Sequence, residues 1–280
     1  MGAGAGGLRH ESHPRVRPRR APCGGLSLPL KRPGPNARPT ALPFRESKVS
    51  FTKLLGTAVV AGLLAAFVAA GFHWFFTEPL IDRAVAIEDQ ASSHAEEPVV
   101  SRPVQKFGLF VGFGVYGIAW GILFGVLVYA IAPKLAAGGN ILHPLLLALI
   151  LGWTVGLFPM LIYPANPPGV GEAATIGYRQ ELFVLLIALS LIGTVAAFIA
   201  ENSLRRAGRP MPLLILAAYV VYMVCLYRFF PVNPDPVKID IELVRRFRTF
   251  SCAGQIIFWT VLGGAFGTLA RYRRSAPSHA

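Results

Sequence analysis

Charge is scarce in this chain. Only 15% of its 280 residues are Asp, Glu, Lys or Arg and 54% are hydrophobic, with a mean hydropathy of +0.52. Soluble domains carry about 25% charged residues, so a water-soluble globule is excluded and an integral membrane protein is implied. Acids are scarcer than bases, 14 against 27. Cysteine is rarer still: Cys23, Cys225 and Cys252 are scattered without a Cys-x-x-Cys, which excludes a disulfide framework and a cysteine zinc site. No His-x-x-x-His pair occurs, so the chain offers no tight transition-metal site of its own, and no tightly bound cofactor is expected. Gly-x-x-x-x-Gly-Lys-Ser/Thr and Gly-x-Ser-x-Gly are both missing, and no nucleophile stands beside a base, so an enzyme is not expected.

What remains is long apolar runs and one basic tail. Residues 1 to 53 hold 11 Lys and Arg against Glu11 and Glu46. Bases flanking a first span follow the positive-inside rule, and this reading is preferred to nucleic-acid binding. Residues 1–48 are rich in Arg, Pro and Gly, with one short hydrophobic cluster from Leu26 to Leu30, so a disordered tail is expected. Three origins fit such a tail: a cytoplasmic extension, a transit peptide, or a stretch upstream of a translation start near Val49. The Pro and Gly content argues against a transit peptide's amphipathic helix, and the third is preferred to a cytoplasmic extension.

Residues 49–280 read as one all-α, polytopic transmembrane domain. Six spans are expected near 54–76, 107–132, 141–162, 182–200, 211–230 and 252–270, each long enough to cross about 30 Å of hydrocarbon. Five is the alternative, because the fourth and sixth runs are short at 19 residues. Ala58, Gly62, Ala66 and Ala70 in the first span recur every fourth residue. So do Gly108 and Gly112, then Gly117, Gly121 and Gly125 in the second, and Gly263 and Gly267 in the last. Small residues in register predict close helix contacts. His73 and Trp74 mark the exit of the first span. An acidic connection, Thr77 to Lys106, follows it, with Leu80, Ala84 and Ile87 at helical spacing and Pro79 in the first turn of a short amphipathic outer helix. Glu78 and Asp82 would share one face of that helix.

The densest punctuation is Tyr163 to Leu182, where Pro164, Pro167, Pro168, Gly169 and Gly171 forbid continuous helix. Irregular backbone at a membrane boundary must face water or protein. The third span ends Tyr163-Pro-Ala-Asn166-Pro and the fifth ends Phe230-Pro-Val-Asn233-Pro, a recurrence compatible with an internal duplication of span pairs. Spans of the same parity run the same way, so these endings and that of the first span share one side. Placing the N-terminus in the cytoplasm gives the inner segments 18 Lys and Arg with 3 acids, and the outer segments 9 with 11 acids. Arg245, Arg246 and Arg248 dissent from that orientation.

Glu78-Pro-Leu-Ile followed by Glu88, and Tyr163-Pro-Ala-Asn-Pro-Pro-Gly-Val-Gly-Glu172 with Thr175 and Arg179, resemble the CbtA family of predicted cobalt transporter subunits. The resemblance covers about Val49 to Arg273. It implies a multi-pass subunit of the bacterial inner membrane that takes up cobalt for cobalamin synthesis. It also implies a small one-span partner, a CbtB-like subunit with a His-rich metal-binding end. Members begin near the first span and are described with five spans, so the leading tail and a sixth span depart from the pattern.

On that footing Co²⁺ is the transported ion, and His73, Glu78, Asp82, Asn166, Glu172 and Asn233 are candidates for its path. Co²⁺ accepts imidazole nitrogen and carboxylate or carbonyl oxygen. A weak multi-site path suits an ion that must leave, and transport would run on a gradient or a partner. The plainer reading makes His73 an interfacial hydrogen-bonder and the acids a solvated helix face. For Tyr163, Pro164, Pro167, Pro168, Gly171 and Arg179 it is a rigid turn in which an Asn caps the chain and Glu172 pairs with Arg179. His94, near Glu96 and Glu97, reads as solvated, and His143 as part of a helix start. Membrane lipid surrounds the chain, and a homo-oligomer through the glycine faces is compatible with the pattern. A membrane scaffold for a partner protein is the second hypothesis, and a membrane enzyme with outer carboxylates the third.

Overall fold

A computed structural model describes residues 50–91, 100–135, 140–233, 235, 237 and 239–275. It contains eight α-helices among those residues: α1 Phe51–Phe76, α2 Glu78–Ala91, α3 Arg102–Leu135, α4 Leu142–Gly152, α5 Phe158–Ile162, α6 Ile176–Arg206, α7 Pro212–Phe229 and α8 Ile241–Ser275. A π-helical turn, Trp153–Leu157, joins α4 to α5, so α4, the turn and α5 form one crossing of the bilayer. Six helical segments are long and apolar enough to span: Phe51–Phe76, Arg102–Ile131, Leu142–Ile162, Ile176–Arg206, Pro212–Phe229 and Ile241–Tyr272. The chain is a polytopic, all-α membrane protein, and six rather than five helices meet the length and hydropathy needed. Residues 1–49, including the basic tail, lie outside the described residues.

Helix α1 is the axis of the larger core. Ala58, Ala61, Ala65, Ala66, Ala69 and Ala70 are all fully buried, because the small side chains let α3 and α8 approach on two sides. A Cβ placed on Gly117 would lie 2.6 Å from Ala66 Cβ, and one on Gly121 would lie 2.7 Å from the Ala58 carbonyl oxygen. Helix α8 continues the core to α4: a Cβ on Gly263 would meet Leu145 Cα at 2.7 Å. Phe124, Phe258, Trp259, Leu262 and Phe266 fill the space between. Gly108 and Gly112 do not take part, since a Cβ at either meets nothing within 4 Å. That half of α3 meets the end of α1 through Phe110 and Phe113 instead, which the sequence repeat alone did not reveal.

A second, smaller core joins α5, α6 and α7 through Phe158, Tyr163, Leu186, Met223 and Phe230. Two boundaries differ from the hydropathy reading. α6 begins at Ile176, ahead of the apolar run that opens at Leu182, and α8 begins at Ile241, well before Cys252. Arg179 and Glu181, then Arg245, Arg246 and Arg248, depress hydropathy without breaking helix, since Arg and Glu are good helix formers. The interruption of the third span also starts earlier than Pro159. The π-turn widens the helix at Val155, one turn before Pro159, where a proline ring would otherwise strike the carbonyl.

Candidate functional site

The endings of α1, α5 and α7 meet α2 and the start of α8 at one end of the bundle. Helix α1 does not stop in a loop. Thr77 alone separates it from α2, whose Pro79 sits in the first turn where its missing N–H costs nothing. Leu80 and Ala84 are buried, and Ile87 is exposed. The α5 and α7 endings are extended and touch each other. The Tyr163 hydroxyl donates to the Pro231 carbonyl at 2.6 Å, and the Tyr163 and Phe230 rings pack edge to face with centroids 6.1 Å apart. Burial pushes the Tyr163 phenol above its ordinary range, which keeps the proton on that donor. The related aromatic-Pro-x-Asn-Pro segments thus lie side by side, as spans of equal parity require.

The structure gives Glu78, Asp82, Asn166 and Asn233 each a cationic or backbone partner. Glu78 and Asp82 share a face as expected, with Glu78 buried and Asp82 partly exposed, and both are paired with cations. Arg102 bridges Glu78 at 2.8 Å and Asp82 at 2.7 Å, and Lys106 holds the other Asp82 oxygen at 2.8 Å. Hydrogen bonds from Lys106 and then Arg102 outweigh desolvation and keep the Asp82 carboxyl below its ordinary range. Asn166 does not cap the chain. Its Oδ1 accepts from Arg248 Nη2 at 2.8 Å and Nε at 3.2 Å, which explains why the dissenting bases of α8 sit at this end. Arg245 and Arg246 pair with Glu242 on the same helix. Asn233 closes a local turn instead, accepting the Asp235 N–H at 3.0 Å. The two motif asparagines therefore have different work.

The plain reading of the turn pairs Arg179 with the Glu172 carboxylate, and here the structure corrects it. Arg179 Nε lies 3.1 Å from Asp235 Oδ2, while its Nη2 donates to the Glu172 main-chain carbonyl at 3.2 Å. Asp235, whose side chain is only 2% exposed, also accepts the Thr175 hydroxyl at 2.8 Å and the Glu172 N–H at 3.1 Å. It fastens the first Asn-Pro ending to the second. Geometry explains the choice: Gly171 adopts φ +107°, and a Cβ there would lie 2.5 Å from Arg179 Nη1, so the guanidinium passes over the glycine towards Asp235. Sequence reasoning misses Asp235 because it stands in Asn-Pro-Asp-Pro, far from Arg179 along the chain. The shared Asn-Pro motif is the available signal that the two endings meet. Pro167 is buried, Pro164 and Pro168 are half-buried, and Glu172 is exposed.

His73 lies apart from the carboxylates in its bonding. Its Nδ1 is 2.8 Å from Thr77 Oγ1, and its ring fills the space above Gly254 of α8, beside Phe113 at 5.2 Å. Among the described residues no three His, Cys, Asp or Glu side chains come together as a metal centre. His143 is exposed in the first turn of α4. His94, Glu96 and Glu97 lie outside the described residues.

The sequence profile of a family described as "probable cobalt transporter subunit (CbtA)" matches residues 51–271. The chain belongs to the CbtA family. The match takes in all six spanning helices and every member of the polar cluster, and leaves out the basic tail. No curated protein and no solved structure shows significant similarity.

Proposed function

We propose that this CbtA-family protein is the multi-pass subunit of an uptake system for Co²⁺, or a similar divalent transition-metal ion, that supplies cobalamin synthesis. It works with a small one-span CbtB-like subunit in a bacterial inner membrane, its N-terminus cytoplasmic. The observation that supports this most is the gathering of Glu78, Asp82, Asn166 and Asp235 at one end of the bundle, each held by a guanidinium or ammonium group. Such oxygens suit a borderline divalent ion. Because Arg102, Lys106 and Arg179 pair with the carboxylates and Arg248 occupies the Asn166 oxygen, these cations compete with the ion and keep its residence short, as conduction requires. His73, Glu172 and Asn233 border the same end. The chain performs no covalent chemistry and holds no resident cofactor in this reading; Co²⁺ is cargo. The test is uptake of radiolabelled Co²⁺ by cells with and without the chain and its one-span neighbour, comparing wild type with Asn166→Ala and Glu172→Gln. Uptake that needs the chain and falls in the variants supports the reading, whereas uptake unchanged on deleting the chain discards it.

A non-transporting scaffold is the second reading, favoured by the same ion pairs, which dock α2 on α3 whether or not an ion passes. Charge-neutral Glu78→Gln and Asp82→Asn variants that fold and assemble yet lose uptake exclude it.

A further inference from the structure

Far from the polar end, α4 with the π-turn, α6, α7 and α8 line a groove of about 580 Å³, within the range of small-molecule sites. Its walls are almost wholly apolar. On α6 it runs from Thr194 past Ala197 to Glu201, and on α7 from Tyr219 to Pro212. At about 1.5 Å per residue each row is about 10 Å long, within one leaflet of about 15 Å. One end of the groove thus lies at the α6–α7 turn, where Glu201 meets water, and the other lies deep among the Thr194 and Tyr219 hydroxyls.

The shallow end carries a charge pair. Glu201 Oε1 accepts from Arg205 at 2.9 Å; the Arg205 side chain is 68% exposed and that of Glu201 only 19%. Glu201 Oε2 is buried and makes no hydrogen bond among the described residues. A carboxylate at the edge of hydrocarbon with an unused acceptor is costly, and its terminal torsion is soft enough to present either oxygen to the groove mouth. The occupant must therefore bring an apolar body and, at the interface, an N–H donor for Glu201 beside an anion for Arg205. A second helix is too thick: one turn, about 10–12 Å across and about 5.4 Å long, already occupies roughly 400–600 Å³. A single acyl chain suits the groove's length and section.

We propose that this groove is a binding site for an aminophospholipid, one acyl chain lying along α6 and α7, the phosphate on Arg205 and the primary ammonium on Glu201. The proposal is independent of the ion's route. Trp153 lines the groove and reports on it. The full chain is reconstituted in vesicles containing brominated phosphatidylethanolamine, phosphatidylcholine or phosphatidylglycerol with the same acyl chains, and the quenching of Trp153 is isolated as the difference from Trp153→Phe. The ethanolamine lipid should associate about tenfold more strongly than the other two, the scale of one charge-assisted hydrogen bond. Glu201→Gln should reduce that ratio to about one. Ala197→Phe, which fills the groove, should remove Trp153 quenching by all three lipids, and it carries the test should Glu201→Gln fail to fold. Equal quenching by the ethanolamine and choline lipids in the wild type overturns the proposal. So does a preference that survives Glu201→Gln, or a Trp153 that no brominated lipid quenches because another helix covers it.

Discussion

Asp235 shows how much one side chain can hold. It accepts from the Thr175 hydroxyl and the Glu172 N–H and forms an ion pair with Arg179 while almost wholly buried. Asp235→Ala would leave a guanidinium without its carboxylate and should destabilise the folded protein by about 3 kcal/mol, the lower end for breaking a buried pair. Thermal unfolding in detergent checks this, and a change within about 0.5 kcal/mol, the scatter of ordinary surface substitutions, would refute the latch. Asp82 makes a different, pH-dependent prediction. Its folded-state pKa is depressed by Lys106 and Arg102, so the stability it contributes is present above its unfolded value of about 3.9 and is lost as pH falls through the lower folded value. The α2–α3 contact should therefore be unchanged from about pH 7 to about pH 5 and loosen only in stronger acid. The pair is 43% exposed on the Asp82 side, so the loss should be within about 1 kcal/mol. Hydrogen exchange of α2 against pH measures it, and loosening near neutrality would contradict the assignment.

At the scale of the element, the glycine repeats divide into those that pack and those that do not. Gly121→Val drives a side chain into the Ala58 carbonyl and should cost at least the roughly 1–3 kcal/mol typical of overpacking, seen as loss of a monodisperse peak in gel filtration. Gly112→Ala meets open space and should be neutral or slightly stabilising by helix propensity. Equal behaviour of the two would mean that α1 and α3 do not meet as described. The π-turn seam is milder. Thr154 Oγ1 lies 3.0 Å from Thr194 Oγ1, and Thr194 lies 3.1 Å from the Tyr219 hydroxyl, so three spans share one hydroxyl seam. Thr154→Val should cost about 0.6 kcal/mol, the average for hydrogen bonds between membrane helices. A cost above about 2 kcal/mol, larger than such bonds supply, would show that the seam does more than join helices.

For the whole molecule, an even number of crossings places the start of α1 and the end of α8 on the same side of the membrane. Reporter fusions after Thr52 and after Ser275 should report the same compartment, and opposite compartments would restore a five-span topology. The larger core around α1 and the smaller core of α5 to α7 are joined by the continuous span of α4, the π-turn and α5 and by Arg248 of α8 on Asn166, whereas the Asp235 latch lies within the smaller unit, so a latch variant should loosen α6 and α7 before α1 and α3.

The sequence by itself determined the membrane class, the six apolar runs, the α1 stripe of small residues and the break from Pro164 to Gly171, because hydropathy, helical spacing and proline sterics are properties of neighbours along the chain. It also placed Glu78 and Asp82 on one helical face. Only the tertiary structure decided which groups those oxygens meet. Arg102 reaches Glu78 from the next helix, Asp235 reaches Arg179 across the whole of α7, and Arg248 reaches Asn166 across both α6 and α7. Such pairings depend on how helices close in space, and neither periodicity nor local charge encodes that closure. The same reason hid the start of α8: its arginines read as a loop until Asn166 and Glu242 supplied their partners.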